Sequence, residues 1–313
     1  MCKIELITNL DSEKVSIYRE NKERQLVTYF EPAQGLFIAE SAKIIERALD
    51  AGYEPMSVLC EMKEADIPED IKQYVPRQAV LVERIQKDFP NVPIMGAEFD
   101  VLKNLVGYHL TGGILCVMRR KKLADPEQFL QMVDQLPMKD GTVESHDNSR
   151  QFSSSEIPRR IVIFDNVENP RNVGTLFRSA AALGMDGVLL TEDCADPLYR
   201  RASRVSMGSV FQIPWTKVGK GWPKEFAKTL HAHGYTIVGM ALTDDSIGIE
   251  DPVLKQASKI AIIMGNEGDG LSDETMSCLD HTVKIPMYHG VDSLNVAAAG
   301  AVAFYALKQG SKE

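Results

Sequence analysis

The sequence predicts an α/β protein of two domains, the second built on a parallel sheet with helices on both faces. Three observations predict it. At 313 residues the chain is long enough for two domains of about 150 residues each. From residue 160 onward, short apolar runs of β type alternate with helical patterns, as in a parallel sheet with crossover helices. At 260–272 and again at 283–307, an apolar run leads into a turn rich in Gly, Ser or Asn and then into a helix start. Two such turns at the carboxyl edge of a parallel sheet, following neighbouring strands, lie where α/β folds bind ligands.

Composition bounds the class. Hydrophobic residues make up 44% and charged residues 25%, as in a soluble globular protein. No apolar run nears the roughly 20 residues of a membrane helix, and the amino terminus lacks the apolar core of a signal peptide. The 5 cysteines are scattered with no close pair, which reads as reduced thiols in the cytoplasm, with neither disulfides nor a metal site. The net charge of −9 argues against nucleic acid if taken as a sum. Local basic groups run the other way, at Arg119–Lys122, at Arg159 and Arg160, and at Arg200, Arg201 and Arg204. Each is a solvated face or a focused site for phosphates.

In order, residues 14–28 have helical potential and 36–39 read as a short strand. Ser41 is placed to cap a helix over 42–51, where Ile44, Ile45, Ala48 and Leu49 keep helical spacing and Gly52 stops the helix. A strand follows at 55–60, a helix at 69–74, an apolar stretch at 78–82, a helix at 98–106 and a strand at 111–118. This alternation predicts a small α/β/α domain over 1–120. Residues 138–156 are rich in Ser, Asp, Asn and Lys, so 121–158 reads as a linker, with a helix at 126–136 attachable to either side. The second domain, 159–313, offers strands at 161–164, 187–190, 210–213, 236–241, 260–264 and 283–285. Its helices fall at 172–183 and 224–233, with a loop–helix segment over 196–208.

The turns carry the chemistry. Gly265, Gly268 and Gly270 permit positive φ and close approach of a ligand to the backbone. Glu267 among them suits a ribose hydroxyl or a backbone amide. Ser293 is placed to cap a helix from Leu294, with Asn295 facing the same turn. After the strand at 160–164 comes Asn169-Pro170-Arg171-Asn172, then Gly174, Arg178, Ala180 and Gly184. This run resembles the first motif of the SpoU/TrmH-type RNA 2′-O-ribose methyltransferases of the SPOUT superfamily. Gly265-x-Glu267-x-x-Gly270-Leu271 resembles the second motif, and Ile285-Pro286-Met287 with Ser293-Leu294-Asn295-Val296-Ala297 the third. All three occur in the family's order, and the match covers roughly 159–309. The stretch from Gly35 to Ala48 resembles, more weakly, the start of the RNA-binding domain similar to small ribosomal proteins that many members carry.

The resemblance implies a deep trefoil knot in the second domain, with S-adenosylmethionine in the knot loops against Leu242, Gly265, Asn266, Gly270, Ile285, Met287 and Leu294. It implies methylation of a ribose 2′-OH in rRNA, less readily tRNA, by a homodimer paired through its knotted domains, with no membrane partner. Arg178, Asn172, Glu267, Ser293 and Asn295 would be the catalytic set, and Arg171, Arg201 and Arg204 the RNA contacts. A guanidinium is effectively always protonated. Arg178 therefore suits phosphate binding and stabilisation of a developing oxyanion better than proton abstraction. Two alternatives remain. One is a non-catalytic RNA-binding protein retaining the fold, which the intact polar motif positions disfavour. The other is a dinucleotide-binding enzyme, which needs a G-x-G-x-x-G after its first strand; the turn after Phe164 has none.

Overall fold

The structure is a computed structural model that describes residues 4–8, 12–19, 23–28, 35–61, 76–106, 113–137 and 158–308. The helix expected at 69–74 lies outside these. The chain divides into two compact units, Met1–Lys122 with Leu198–Phe211, and Leu123–Pro197 with Gln212–Glu313.

The first unit holds strands β1 (Glu5–Ile7), β2 (Leu36–Glu40), β3 (Pro55–Glu61), β4 (Ile94–Ala97) and β5 (Ile114–Arg119) in the order β1-β4-β3-β5-β2. Pairing is parallel for β1 with β4 and β4 with β3, and antiparallel for β5 with both β3 and β2. Its helices are α1 (Ser16–Arg19), α2 (Glu23–Val27), α3 (Ala42–Asp50), α4 (Pro76–Asp88) and α5 (Phe99–Val106). The α3 stripe of Ile44, Ile45, Ala48 and Leu49 is buried as its spacing requires. Ser41 occupies the cap position, but with φ 85° its side chain makes no cap hydrogen bond.

The second unit is a seven-stranded sheet of β6 (Arg159–Phe164), β7 (Gly187–Leu190), β8 (Trp215–Lys217), β9 (Tyr235–Met240), β10 (Ile247–Gly248), β11 (Lys259–Met264) and β12 (His281–Lys284). The order is β10-β12-β9-β11-β6-β7-β8, and every pairing is parallel. Its helices are α6 (Pro126–Asp134), α7 (Pro170–Ala182), α9 (Lys224–Ala232), α10 (Pro252–Gln256), α11 (Asp273–Met276) and α12 (Val296–Leu307), with α8 (Arg200–Val205) in the first unit. Side chains alternate between faces along a strand. Ile161, Ile163, Leu189, Ala261 and Ile263 accordingly meet Phe129, Leu130 and Val133 of α6 and Phe226, Ala227 and Leu230 of α9. On the other face Phe164 meets Phe177 of α7 edge-on, with ring centroids 5.5 Å apart. Residues 126–134, inside the expected linker, thus belong to the core of the second unit.

Two expectations need correction. Residues 210–213 are not a strand. Met207 and Gly208 take positive φ of 55° and 80° and turn the chain, and Val210 and Phe211 are buried in the first unit, Phe211 against Phe37 and Tyr53. The strand begins after Pro214 instead. Arg159 and Arg160 are no basic surface either, being 1% and 6% exposed. The Arg160 fork donates to the carbonyls of Leu307 at 2.8 Å, Ser258 at 2.7 Å, Arg159 at 2.9 Å and Ala257 at 3.1 Å. Burial lowers its pKa to about 10, which still leaves it cationic at neutral pH.

The small residues of α12 are used within the chain. Ala297, Gly300 and Ala303 are buried, and a Cβ on Gly300 would stand 2.3 Å from Leu176 Cδ2 of α7. Gly300→Ala should therefore destabilise the protein by about 1–3 kcal/mol through overpacking, read as a lower midpoint in urea. An unchanged midpoint would mean that Leu176 gives way freely.

At the amino edge of the sheet, His233 lies between two carboxylates, Nδ1 3.0 Å from Asp134 Oδ2 and Nε2 3.0 Å from Glu127 Oε1. Only the imidazolium can donate to both. Asp134 also accepts from Lys259 Nζ at 2.7 Å. Burial pulls the His233 pKa down, but the two carboxylates outweigh it and the net shift is upward. The stabilisation from this pair is then complete below the unfolded value of about 6.5 and is lost as pH rises through the folded value. The stability gap between wild type and His233→Gln should narrow as pH is raised from 6 to 9. A gap independent of pH would contradict the pairing.

Candidate active site

Parallel strands bring their carboxyl ends to one edge, and four of them build a site there. β12, β9, β11 and β6 lie side by side in that order. The two Gly- and Ser/Asn-rich turns therefore do not follow adjacent strands, because β9 runs between them. The end of β9 and the turn after it add Met240, Ala241 and Leu242 to the wall of a cavity of about 410 Å³. Leu242, Gly265, Asn266, Gly270, Ile285, Met287 and Leu294 all line it, as do Glu267, Ser293 and Asn295. Apolar Met264, Val283 and Val296 close its inner side. Among the described residues, no protein group hydrogen-bonds the main chain of Leu242, Ile285, Met287 or Leu294. The cavity thus pairs an apolar lining with free amide donors and acceptors.

The 265–272 loop is shaped by different residues from those its glycines point to. Of Gly265, Gly268 and Gly270, Gly270 alone takes positive φ, 71°. Gly265 is needed for contact, since a Cβ there would lie 2.6 Å from Gly270 O and 2.9 Å from Leu271 Cδ2. Asn266 holds the loop together. Its Oδ1 accepts from the N–H groups of Gly268 at 2.7 Å and Asp269 at 3.2 Å, and its Nδ2 donates to Asn166 O at 2.9 Å. All three bonds are internal, so the Asn266 side chain shapes the wall rather than reaching into the cavity. Asn266→Asp keeps the acceptor but loses the donor to Asn166. It should weaken whatever the cavity binds by about 1 kcal/mol, the cost of one orphaned part-buried acceptor, in an equilibrium titration. Affinity equal to wild type would show that the Asn166 anchor is dispensable.

One side chain from each motif meets at the rim. Asn295 Nδ2 donates to Asn172 Oδ1 at 3.3 Å, and Asn172 Nδ2 donates to Glu267 Oε1 at 2.7 Å. Both elements behind the asparagines start there. Asn169 caps α7 through Arg171 N–H at 2.9 Å, with Pro170 at the first helical position. Asn295, rather than Ser293, caps the last helix, accepting from Ala297 N–H at 3.0 Å. That helix begins at Val296, two residues later than a helix capped by Ser293 would. Ser293 is left exposed at the cavity mouth.

Arg178 stands apart. Six residues along α7 place it about 9 Å up the axis and about 120° round from Asn172. It does not line the cavity, and Asn172 orients Glu267 rather than Arg178. Arg178 is exposed and has no ion pair among the described residues. Arg171 lies seven residues earlier, on nearly the same side of the helix, and is also exposed. Of the other expected RNA contacts, Arg201 is exposed on α8, while Arg204 pairs with buried Glu40 at 3.1 Å.

Sequence reasoning passed over Asp165, directly after β6. It accepts from Thr275 Oγ1 at 2.7 Å and from Trp222 Nε1 at 3.1 Å, tying the 265–272 loop's following helix to the sheet edge. Burial raises its pKa despite those two donors. An aspartate directly after the apolar run Ile161–Phe164 was the available signal.

Comparison with known proteins bears on this geometry. Residues 159–305 match the SpoU rRNA Methylase family. An uncharacterized tRNA/rRNA methyltransferase of Mycobacterium bovis is 29% identical over 274 residues, 87% of this chain and 80% of that one. The 23S rRNA (guanosine(2553)-2′-O)-methyltransferase RlmP of Bacillus subtilis is 35% identical over 150 residues, 48% of this chain and 58% of that one. The AdoMet-bound crystal structure of an rRNA methyltransferase from Sinorhizobium meliloti superposes with TM-score 0.69 at 20% identity, covering 97% of each chain. At that identity the likeness speaks for the fold.

Proposed function

We infer, from the match of residues 159–305 to the SpoU rRNA Methylase family, that this chain methylates a ribose 2′-OH of structured RNA, rRNA rather than tRNA, from S-adenosylmethionine. The observation that carries the reading is the Asn295–Asn172–Glu267 hydrogen-bond chain at the cavity rim. It joins all three motifs at the mouth of a cavity large enough for a small-molecule ligand, whose sites run roughly 300–1,000 Å³.

The cavity fits the cofactor's chemistry. Its apolar lining suits a flat nucleobase and a thioether chain, and the free main-chain groups of Leu242, Ile285, Met287 and Leu294 can take the polar edges. When bound, S-adenosylmethionine supplies an electrophilic methyl on a sulfonium. The methyl's bond to sulfur breaks as its bond to the 2′-oxygen forms, and the hydroxyl proton leaves to solvent. The chain's task is to orient a poor nucleophile. Glu267, held through one oxygen by Asn172, keeps its other for a ribose hydroxyl, and Ser293 offers a second contact at the mouth. Arg178, with Arg171 on the same stripe, would grip the adjacent phosphate and favour charge developing on the 2′-oxygen. Arg201 in the first unit is a further phosphate contact.

We read the path from β12 to α12 as the threaded segment of a trefoil knot, supported by the position of β12 between β9 and β10, which are consecutive in sequence. A homodimer is supported by α12. Its face away from α7 exposes Ala298, Val302 at 40% and Tyr305 at 62%, an apolar strip suited to a two-fold contact. No helix among the described residues is long and apolar enough to cross a membrane, and a cytoplasmic site of action accords with an RNA substrate. The non-catalytic alternative gains no observation of its own.

The test is titration calorimetry with S-adenosylmethionine, followed by mapping of ribose methylation across rRNA and tRNA in a strain lacking the protein. One site per chain and the loss of a single 2′-O-methyl mark are expected. Binding with no missing mark would favour the non-catalytic reading.

A further inference from the structure

The turn after β9 carries Leu242, whose main chain is unpaired among the described residues while it lines the cavity. Every neighbouring main-chain group that might compete for it is already taken. Ala241 N–H donates to Val283 O at 3.1 Å. Ala241 C=O accepts the Ser246 hydroxyl at 3.0 Å. Thr243 N–H donates to Ser246 Oγ at 3.0 Å, and Thr243 C=O accepts Ser246 N–H at 3.1 Å. Ser246 alone thus engages three of these four groups.

Ser246 is 7% exposed, whereas Asp244 and Asp245 beside it are exposed. A buried hydroxyl directly after two exposed carboxylates is unexpected unless it has a local task. Its proton is committed to Ala241, so its lone pairs are what receive Thr243. The Thr243 hydroxyl completes the arrangement. It lies 2.7 Å from Asp245 Oδ1, 2.8 Å from Ser246 Oγ and 3.3 Å from Thr282 Oγ1 on β12. The Thr243 hydroxyl therefore links the turn to β12, the strand that leads into Ile285 and Met287 of the cavity lining.

We propose that Ser246 and Thr243 are positioning residues of the cofactor site, a hydroxyl clamp that holds the 241–246 turn so that the Leu242 main chain stays available at the cavity wall. The proposal rests on the assignment of the cavity to S-adenosylmethionine. Neither residue touches the ligand. Without the Ser246 hydroxyl, Ala241 C=O and Thr243 N–H lose their partners, and Leu242 is drawn into replacing them or the turn reorganises.

The experiment uses the full chain, with S-adenosylmethionine titrated by calorimetry and single-turnover methylation measured at saturating cofactor. Ser246→Ala should raise the cofactor Kd about 10-fold, as loss of a buried hydrogen bond does, and leave the saturated rate within about twofold. Thr243→Val, nearly the same shape, should raise Kd by a smaller factor, and Thr243→Ser should restore it. Kd values within twofold of wild type for both Ser246→Ala and Thr243→Val would overturn the clamp. So would a fall in the saturated rate matching the loss in affinity, which would place these residues in the chemistry. If Ser246→Ala fails to fold, the Thr243→Val and Thr243→Ser pair decides alone. Wild type that binds no S-adenosylmethionine would instead overturn the functional assignment, and the clamp with it.

Discussion

Replacing Arg178 by alanine is expected to slow single-turnover methylation of the cognate RNA roughly 10²–10³-fold, the cost of removing one group that stabilises a developing oxyanion. Stability should change by no more than about 1 kcal/mol, because Arg178 is an exposed helix residue with no ion pair among the described residues. Cofactor affinity should hold, since the cavity wall is built from the turns after β9, β11 and β12. Arg178→Lys should recover only part of the rate, because an ammonium lacks the planar fork that can grip phosphate and ribose together. Near-normal rates in both variants would remove Arg178 from the catalytic set and leave Asn172, Glu267 and Ser293 to carry it.

The second large effect is at Gly265. A Cβ there would stand 2.6 Å and 2.7 Å from the carbonyl oxygen and carbon of Gly270. These are backbone atoms pinned by the Asn266–Gly270 bridge, with hydrogen bonds of 2.9 Å and 3.2 Å, so they cannot yield as a side-chain tip would. Gly265→Val should push Gly270 into or away from the cavity and cost roughly 10–100-fold or more in S-adenosylmethionine affinity, the equivalent of 1–3 kcal/mol of overpacking. Gly265→Ala should show a graded loss. The circular dichroism spectrum should stay native, because the clash is confined to one loop. Unchanged cofactor affinity in the valine variant would put the ligand somewhere other than this cavity.

Much of this was legible in the sequence, and the residues show why. Apolar runs such as Ile260–Met264 are buried on both faces of a parallel sheet, so they read as continuous hydrophobic stretches and their positions hold closely. The helical stripe of α3 was equally plain. Strand order was not legible. Nothing in the 235–240 run announces that it lies between the strands bearing the two Gly- and Ser/Asn-rich turns, because adjacency is fixed by crossovers rather than by local pattern. Caps were legible as residue types but not as positions. Ser293 and Asn295 are both good caps, and only the backbone decides that Asn295 serves. Charge was the least legible. Arg159 and Arg160 look like a surface cluster until their forks meet main-chain carbonyls, those of Asp134 and Leu136 for Arg159 and those of Ala257, Ser258 and Leu307 for Arg160. Nor does the local pattern around Gly300 show that its close neighbour is Leu176 of the same chain.

The central claim is that the Asn295–Asn172–Glu267 rim presents a ribose hydroxyl to the cofactor cavity. The most direct test incubates the full chain with rRNA and S-adenosylmethionine carrying an isotopically labelled methyl group, then digests the RNA to nucleosides for mass spectrometry. The account predicts label in a single 2′-O-methylribose nucleoside, and its loss in Glu267→Ala with the cofactor still bound. Label on a nucleobase, or undiminished ribose labelling by Glu267→Ala, would contradict it.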